Sequence, residues 1–430
     1  MNEIDKLSTE EILQLQEKEL RKTLVYLSDN SPYYQKLFRE NNIIIDEIKT
    51  INDLQKIPVT SKDNLQNRNW EFLCVPKNKI KEYCTTSGTL GMPVTIALSG
   101  KDLDRLAYNE YLSFTCAGIN ENDLFQFMLS LDRQFMAGLA YYLGARKLGA
   151  GIARIGPGNI SGQLNNILHI QPTVLIAVTS FIIQLIQFAD ENNIDLNSTS
   201  VKKIICIGEN LRNTEFSMNS LGKRISEKWN VQLFSTYAST EMQTAFTECE
   251  HGNGGHHHPE LLIFEVLDEE NNQLPEGEFG ELTITNLGVE GMPLLRYKTG
   301  DICTYYSSKC QCGRTSMRIS PIAGRKQQLI KFKGTTIYPQ AIFNLLNGIK
   351  EVKDYVLQLK KNEFETDCLT IHLALTKQDE QTDKKIKQQL QTALRVLPEI
   401  NYLSIEEIQK MQSINGQRKF SKLFDERNNN

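Results

Sequence analysis

PTVLIAVTSFIIQLIQFADENN, residues 172–193, opens on an apolar, β-branched run and ends on apolar residues at helical spacing. The first part, 172–180, reads as a buried strand and the remainder as an amphipathic helix. VKKIICIGE (201–209) reads as a second strand, and RNTEFSMNSLGKRISEKW (212–229) is expected to be helical after it. Strand and helix patterns alternate in this way from about 100 to 235, which predicts an α/β layered domain.

Outward from this centre the pattern changes in both directions. EEILQLQEKELRKTLVYL (10–27) carries apolar residues at roughly helical spacing, and the first eighty residues look largely helical. ELLIFEVLDEENNQLPEGEFGELTITNL (260–287) holds two strand-like runs around a polar connection, so the large domain should end in a β-rich, hairpin-forming region. From about 325 onward, KQQLIKFKGTTIYPQAIFNLLN, DCLTIHLALT and a helix over 380–395 suggest a compact α+β piece. The final Asn428–Asn430 should carry no fixed structure.

At 430 residues the chain should form one large domain and a smaller one, or two of middling size. Its net charge of −4 leaves no electrostatic footprint for general nucleic-acid binding. The first twenty residues are too charged for a signal peptide, and no apolar run reaches membrane-spanning length. Nine irregularly spaced cysteines fit a reducing compartment, so a cytoplasmic location is the default.

TTSGTLGMP (85–93) reads either as a solvated turn or as a phosphate cradle. In the second reading, glycines let backbone N–H groups converge on an anion while Thr86, Ser87 and Thr89 add hydroxyl donors around Gly88. Four further stretches favour the cradle: IGEN (207–210), YASTE (237–241), LLRYKTGD (294–301) and AGRKQQLIKFKGTTIYP (323–339). In this order and at these distances they resemble the core motifs of adenylate-forming enzymes, the superfamily of acyl-CoA synthetases and carrier-protein adenylation domains. SPYYQKLF (31–38) and IPVTSKDNL (57–65) extend the likeness toward the phenylacetate–CoA ligase group, so it covers most of the chain.

The resemblance implies a domain over 1–325 and a mobile C-terminal lid over 326–430. It also implies a reaction: a carboxylate and ATP give an acyl-adenylate and pyrophosphate, and the acyl group then passes to a thiol. Thr86, Ser87, Gly88 and Thr89 match the loop that holds the pyrophosphate end of ATP. Glu209 and Asn210 match the strand end that meets adenine. Within YASTE, Tyr237 would stack on the base, Ala238 and Ser239 line the same turn, Thr240 would touch phosphate and Glu241 would help hold Mg²⁺. Asp301 suits the ribose diol, because a carboxylate accepts from two adjacent hydroxyls. Arg325 matches the arginine beside the inter-domain hinge. Phe135, and Phe127 near it, match a region that lines the acyl pocket.

Some positions depart from the pattern. Met92 stands where lysine is common, Ala238 where glycine is usual, and Gln327 where the hinge usually has Asp. The lysine that stabilises charge during attack on the α-phosphate normally follows a glycine, with an Asp six residues later. In NGQRKFSKLFDER (415–427) Gly416 is followed by Gln417, whereas counting back six from Asp425 reaches Lys419. Lys419 is therefore assigned, with Arg418 in place of the glycine.

CEHGNGGHHH (249–258) and CQCG (310–313) flank the predicted hairpin. Cys249, a histidine, Cys310 and Cys312 would make a tetrahedral Cys₃His zinc site, closed and therefore structural. Relatives place the histidine seven residues after the first cysteine, which implies His256, with His251 and His258 as alternatives.

The expected activity is an ATP-dependent acid–thiol ligase for an aromatic or similarly compact carboxylic acid, using ATP, Mg²⁺ and coenzyme A. The rivals are loading of a carrier-protein thiol and a nucleotide-binding protein that has lost turnover. The acid, the acceptor and the oligomeric state, for which a homodimer is considered, are not readable from the residues. Membrane and nucleic-acid partners are not expected. No GxSxG, HExxH or GxGxxG occurs, so hydrolase, zincin and dinucleotide-binding readings gain nothing.

Overall fold

The computed structural model describes residues 4–86, 94–332, 335–362, 366–413 and 421–427. Ser87, Gly88, Thr89, Met92, Gly416–Lys419 and the terminal asparagines lie outside the described residues. The chain divides into two compact units, Met1–Met218 with Gly222–Pro321, and Asn219–Leu221 with Ile322–Asn430.

In the first unit, α1 (Thr9–Asn30) starts at a capping box in which Ser8 accepts from the Glu11 amide and Glu11 accepts from that of Ser8. α2 (Pro32–Glu40) has Ser31 as its cap and proline in its first turn. α3 (Lys62–Asn67) is capped by Ser61. The first eighty residues are thus largely helical, with short 3₁₀ turns filling much of 45–79. β1 (Ile80–Thr85) and β2 (Thr95–Ser99) form an antiparallel hairpin, and α4 (Gly100–Cys116) begins at Ser99.

Alternation then sets in: β3 (Leu124–Phe127), α5 (Met136–Leu148), β4 (Gly151–Arg154), α6 (Ile160–Ile170), β5 (Val174–Val178), α7 (Thr179–Glu191), β6 (Lys203–Ile207), α8 (Ser220–Lys228) and β7 (Gln232–Ala238). Neighbouring strands in the order β4, β3, β5, β6, β7 are parallel. β5 is central, and Val174 to Ala177 have no exposed surface, as an all-apolar run requires. Ile182, Leu185, Ile186 and Ala189 of α7 are buried at three- and four-residue spacing.

The helix expected over 212–229 forms only from Ser220 to Lys228. Residues 212–218 instead make a tight turn closed by an Arg212–Met218 bridge, with Ser217 O accepting from the Asn213 amide and Phe216 in the left-handed region at φ 70°. Asn213 and Ser217 also bond each other by side chain, the local competition that draws such residues out of helices.

β7 continues antiparallel into β8 (Ala245–Glu248) and β9 (Gly255–His256). The expected hairpin follows as β10 (Leu262–Leu267) and β11 (Gly280–Asn286), joined by β12 (Tyr297–Cys303). β13 (Tyr305–Tyr306) and β14 (Arg318–Ile319) pair with each other, and β14 pairs with β9. The β-rich end of the unit is therefore where the sequence pattern places it.

The second unit begins with β15 (Gly324–Arg325), β16 (Ile330–Phe332), β17 (Thr335–Ile337) and α9 (Pro339–Asn347). β18 (Val352–Lys361) and β19 (Asp367–Leu375) pair antiparallel; α10 (Glu380–Leu394), β20 (Glu399–Tyr402), α11 (Ile405–Ser413) and β21 (Leu423–Asp425) follow. Alternate residues of β18 enter opposite cores. Tyr355, Leu357 and Leu359 join Ile342, Leu346, Ile386 and Leu390, whereas Val356 joins Ile408. The architecture is a large α/β domain with a small α+β domain after it.

Candidate functional site

Parallel strands deliver their following loops to one edge of the sheet, the side where open α/β sheets hold ligands. Here β5, β6 and β7 are neighbours, so Thr179–Ser180, Gly208–Asn210 and Ala238–Glu241 emerge side by side at their carboxyl ends. Glu209 is engaged there: its carboxylate accepts from the Ser180 amide at 2.7 Å, at the start of α7, and its carbonyl accepts from Thr179 Oγ1 at 3.3 Å. Gly208, at φ 73°, makes the turn that brings Glu209 to this position.

The second wall is β12. Gly300 at φ 78° turns the strand, and Thr299 Oγ1 accepts from the Asp301 amide at 3.1 Å. Asp301 then accepts from Tyr237 Oη at 2.7 Å, which joins the end of β7 to β12. Tyr297 Oη lies 3.4 Å from Glu241 Oε1, and burial followed by the nearby Glu241 charge pushes that phenol well above its usual range. Thr240 and Ser239 are half-buried in the same turn, Ser239 accepting from the Met242 amide, while Ala238 is exposed at the strand end.

The early motifs brace this wall. Tyr34 Oη of SPYYQKLF accepts from the Leu295 amide at 2.8 Å. Thr60 of IPVTSKDNL bonds main chain to main chain with Arg296 and Lys298 at 2.8 and 2.9 Å. The Arg296 guanidinium, 2% exposed, spans both Glu265 oxygens at 2.9 and 3.0 Å and the Ile57 carbonyl at 2.6 Å. A buried charge is tolerated when paired and bonded in this way, and losing one partner costs several kcal/mol (about 3–5).

Of the glycine-rich loop, only its first residues are described. Thr86 closes the β1–β2 hairpin by accepting from the Val94 amide at 3.1 Å. The Thr85 amide donates to Gln134 O, tying the hairpin to the segment before α5. Arg133 and Gln134 both sit at φ 56°, consecutive left-handed residues without glycine. Phe135 is half-buried where α5 starts, and Phe127 is wholly buried in the core with Phe125 and Phe114.

In the second unit Arg325 is exposed on β15. Gln327 O accepts from Arg427 Nη2 at 3.0 Å, and Leu329 O from Arg427 Nη1 at 2.7 Å, so Arg427 is strapped to the unit's first turn. Asp425 holds the same arginine. Lys422 lies 4.3 Å from the Tyr355 ring centroid, occupied by packing. Lys419 lies outside the described residues.

The cysteine and histidine clusters do meet. The ligand atoms of Cys249, His256, Cys310 and Cys312 lie within 4.8 Å of one another. Cys249 Sγ is 3.7 Å from Cys310 Sγ, and Cys312 Sγ is 3.5 Å from His256 Nε2. Zinc–ligand bonds of about 2.3 Å to sulfur and about 2.0–2.1 Å to nitrogen at tetrahedral angles require close to these separations. A hydrogen bond from Cys249, with His256 and Arg314 nearby, holds the Cys312 thiol far below its ordinary range. His256 Nδ1 is 3.1 Å from Ser316 Oγ, which fixes the ring. The alternatives lie elsewhere: His251 faces Glu250, and His258 Nε2 bonds Ser113 Oγ. The donor set and spacing fit zinc.

Sequence reading did not single out Tyr297, Thr299 or Ser180. The first two lie inside LLRYKTGD, where a hydroxyl two residues before Asp301 was the available signal. Ser180 had none, because its contact with Glu209 spans 29 residues.

The family model for AMP-binding enzymes matches residues 10–291. The phenylacetate-coenzyme A ligase of Thermus thermophilus is 27% identical over 355 residues, 81% of this chain and 78% of that one. The protein of the same name from Pseudomonas putida is 25% identical over 394 residues, 89% and 86% of the two chains. A crystal structure of 2-hydroxyisobutyryl-CoA ligase in a postadenylation state, in complex with an acyl-AMP named R3-HIB-AMP, superposes with a TM-score of 0.86 at 20% identity, covering 98% of this chain and 91% of that one. The fold is that of 2-hydroxyisobutyryl-CoA ligase, and the chain belongs to the AMP-binding, adenylate-forming enzyme family.

Proposed function

We propose that the protein is an AMP-forming acid–CoA ligase whose substrate is a compact aromatic acid of the phenylacetate type.

 The supporting observation is the Tyr237–Asp301 pair at 2.7 Å, which links the carboxyl end of β7 in the parallel sheet to β12 in a chain of this family. An aromatic face and a carboxylate held together in this way suit a base and its ribose: the ring offers a stacking surface, and the carboxylate accepts from the two hydroxyls.

In this reading Asp301 and Tyr237 bind the nucleoside, and the main chain at Glu209–Asn210 borders the base. The loop from Thr86 to Thr89 takes the β- and γ-phosphates, with Thr240 on the phosphate side. Glu241 keeps one carboxylate edge on Tyr297 and presents a hard oxygen for Mg²⁺, which when bound neutralises phosphate charge. The substrate carboxylate, lying toward Phe135, attacks the α-phosphate and expels pyrophosphate. Phe127 supports that wall from the core. Lys419 offsets the developing negative charge, Arg325 and Gln327 flank the hinge, and the second unit is the lid that exchanges one step for the other. The thiolate of coenzyme A then attacks the acyl carbonyl, AMP leaves, and a thioester forms. The Cys249–His256–Cys310–Cys312 cluster holds a structural zinc apart from this chemistry.

Pyrophosphate release tests the reading, using a panel of aryl and short acyl acids with coenzyme A, with a phosphopantetheinylated carrier, or with neither. Acid-dependent release, with thioester only when coenzyme A is present, is the expected result. Thioester on the carrier alone would assign a loading enzyme, and no release with any acid would leave a nucleotide binder.

A further inference from the structure

Three contacts of the N-terminal segment converge on the metal-ligand cluster. Asp5 Oδ1 lies 3.2 Å from Arg314 Nε, and the same guanidinium donates through Nη1 to Cys312 Sγ at 3.5 Å. Thr315 Oγ1 donates to Leu7 O. Gln16, on α1, donates to Leu262 O at 2.9 Å and lies 3.4 Å from His257, the neighbour of ligand His256. Arg314 is 6% exposed and Gln16 2%, so these are interior contacts rather than surface pairs. The knuckle itself is closed by main-chain bonds from Cys310 N to Arg314 O and from Gly313 N to Cys310 O, at 3.0 and 2.9 Å. Arg314 thus has its backbone in the ligand loop and its side chain between a ligand sulfur and the start of the chain.

We infer that Arg314 is a positioning residue that joins the Cys₃His cluster to residues 4–16, so that metal binding and docking of the N-terminal helix rise and fall together. This rests on the zinc reading above. Three thiolates and a neutral imidazole around Zn²⁺ leave the cluster one negative charge, and Arg314 is the buried cation that meets it. Asp5 completes the line and keeps the guanidinium from turning away. A donor on a thiolate sulfur lowers its electron density, which slows its reaction with electrophiles and its protonation on metal release. In the other direction, loss of the metal frees the 310–314 loop and with it the surface against which Asp5 and Leu7 are fixed.

Hydrogen–deuterium exchange on the full chain, before and after zinc is extracted with a chelator, reads the coupling directly. Amides 8–16 should exchange at least about tenfold faster without zinc, the scale of one lost charge-assisted bond. Amides of α10, in the other unit, should not change. Asp5→Asn and Arg314→Gln should each speed zinc transfer to a chelator, Arg314→Gln the more. Both should raise alkylation of Cys312 relative to Cys310, a selectivity that general loosening of the loop would not produce. In cobalt-substituted protein Arg314→Gln should also shift the sulfur-to-metal charge-transfer band, and Arg314→Lys should restore part of the shift. Equal exchange of 8–16 with and without zinc, or unchanged transfer rates in both variants, would overturn the proposal. Purified wild-type protein that binds no zinc would overturn the metal reading beneath it, a separate result.

Discussion

The metal-ligand cluster and the strand-end site differ in how complete each is within the first unit. Cys249, His256, Cys310 and Cys312 already hold their donor atoms at tetrahedral spacing, with Ser316 and Arg314 behind them. At the strand ends each carboxylate is held by the protein itself: Glu209 by Ser180, Asp301 by Tyr237, Glu241 by Tyr297. A site for a permanent ion can be finished on folding, because the ligand never has to leave. A site for turnover needs groups that are oriented but still have capacity for a visiting ligand. Asp301 shows the orientation: one carboxylate oxygen accepts from Tyr237 at 2.7 Å.

The largest expected effect falls on the proposed adenylation step. Lys419→Ala should slow adenylate formation by about 10²–10³, the usual weight of one preorganised charge-stabilising group. Thioester formation from supplied acyl-adenylate should stay near wild type, as single-turnover assays of the two half-reactions would show. Equal loss in both would falsify the division of labour between lid orientations.

Asp301→Asn comes next. The amide keeps the shape and can still accept from Tyr237, but one acceptor and the charge are gone. ATP affinity should fall by roughly tenfold to a hundredfold, corresponding to about 1.5–3 kcal/mol. Unchanged binding by calorimetry would remove Asp301 from the nucleotide site.

Cys310→Ser should invert that profile. Bound zinc and Tm should fall together, because binding energy at a structural site contributes to folding. Adenylation per folded molecule should change little. A large fall in the rate with Tm preserved would break the contrast between the two regions.

Lys422→Ala should have the smallest effect. Its ammonium packs over Tyr355 and lies 3.8 Å from Asp354 with a partly exposed side chain, a contact worth at most about 1 kcal/mol. Both half-reactions should run near wild-type rates. If Lys422 were essential and Lys419 dispensable, the spacing to Asp425 would have been read from the wrong lysine.

Much of this organisation is legible in the residues because local pattern and tertiary role agree. Val174–Ala177 is apolar on both faces because β5 is central, and 182–189 keeps helical spacing because α7 has one buried face. The seven-residue interval from Cys249 to His256 reaches across the β8–β9 turn, so the ligands of one half end up adjacent. Met218, Leu221, Ile225 and Trp229 keep helical spacing, which carries the expected helix back over 212–218, while the Asn213–Ser217 contacts that form the turn leave no periodic trace. The link from Asp5 to Arg314 is of another kind. It joins residues about three hundred positions apart, and neither residue type nor spacing marks it before the chain is folded. The bracing of LLRYKTGD by Tyr34 and Thr60 belongs to the same class, although the motifs themselves could be recognised.

In the proposed reaction a carboxylate is joined to the α-phosphate of ATP. A substrate acid labelled with heavy oxygen in its carboxylate, turned over with ATP and coenzyme A, tests this bond directly by mass spectrometry of the nucleotide product. Attack on the α-phosphate predicts AMP carrying one heavy oxygen per turnover, with none in the pyrophosphate. Label in inorganic phosphate alongside ADP, or unlabelled AMP, would contradict the account.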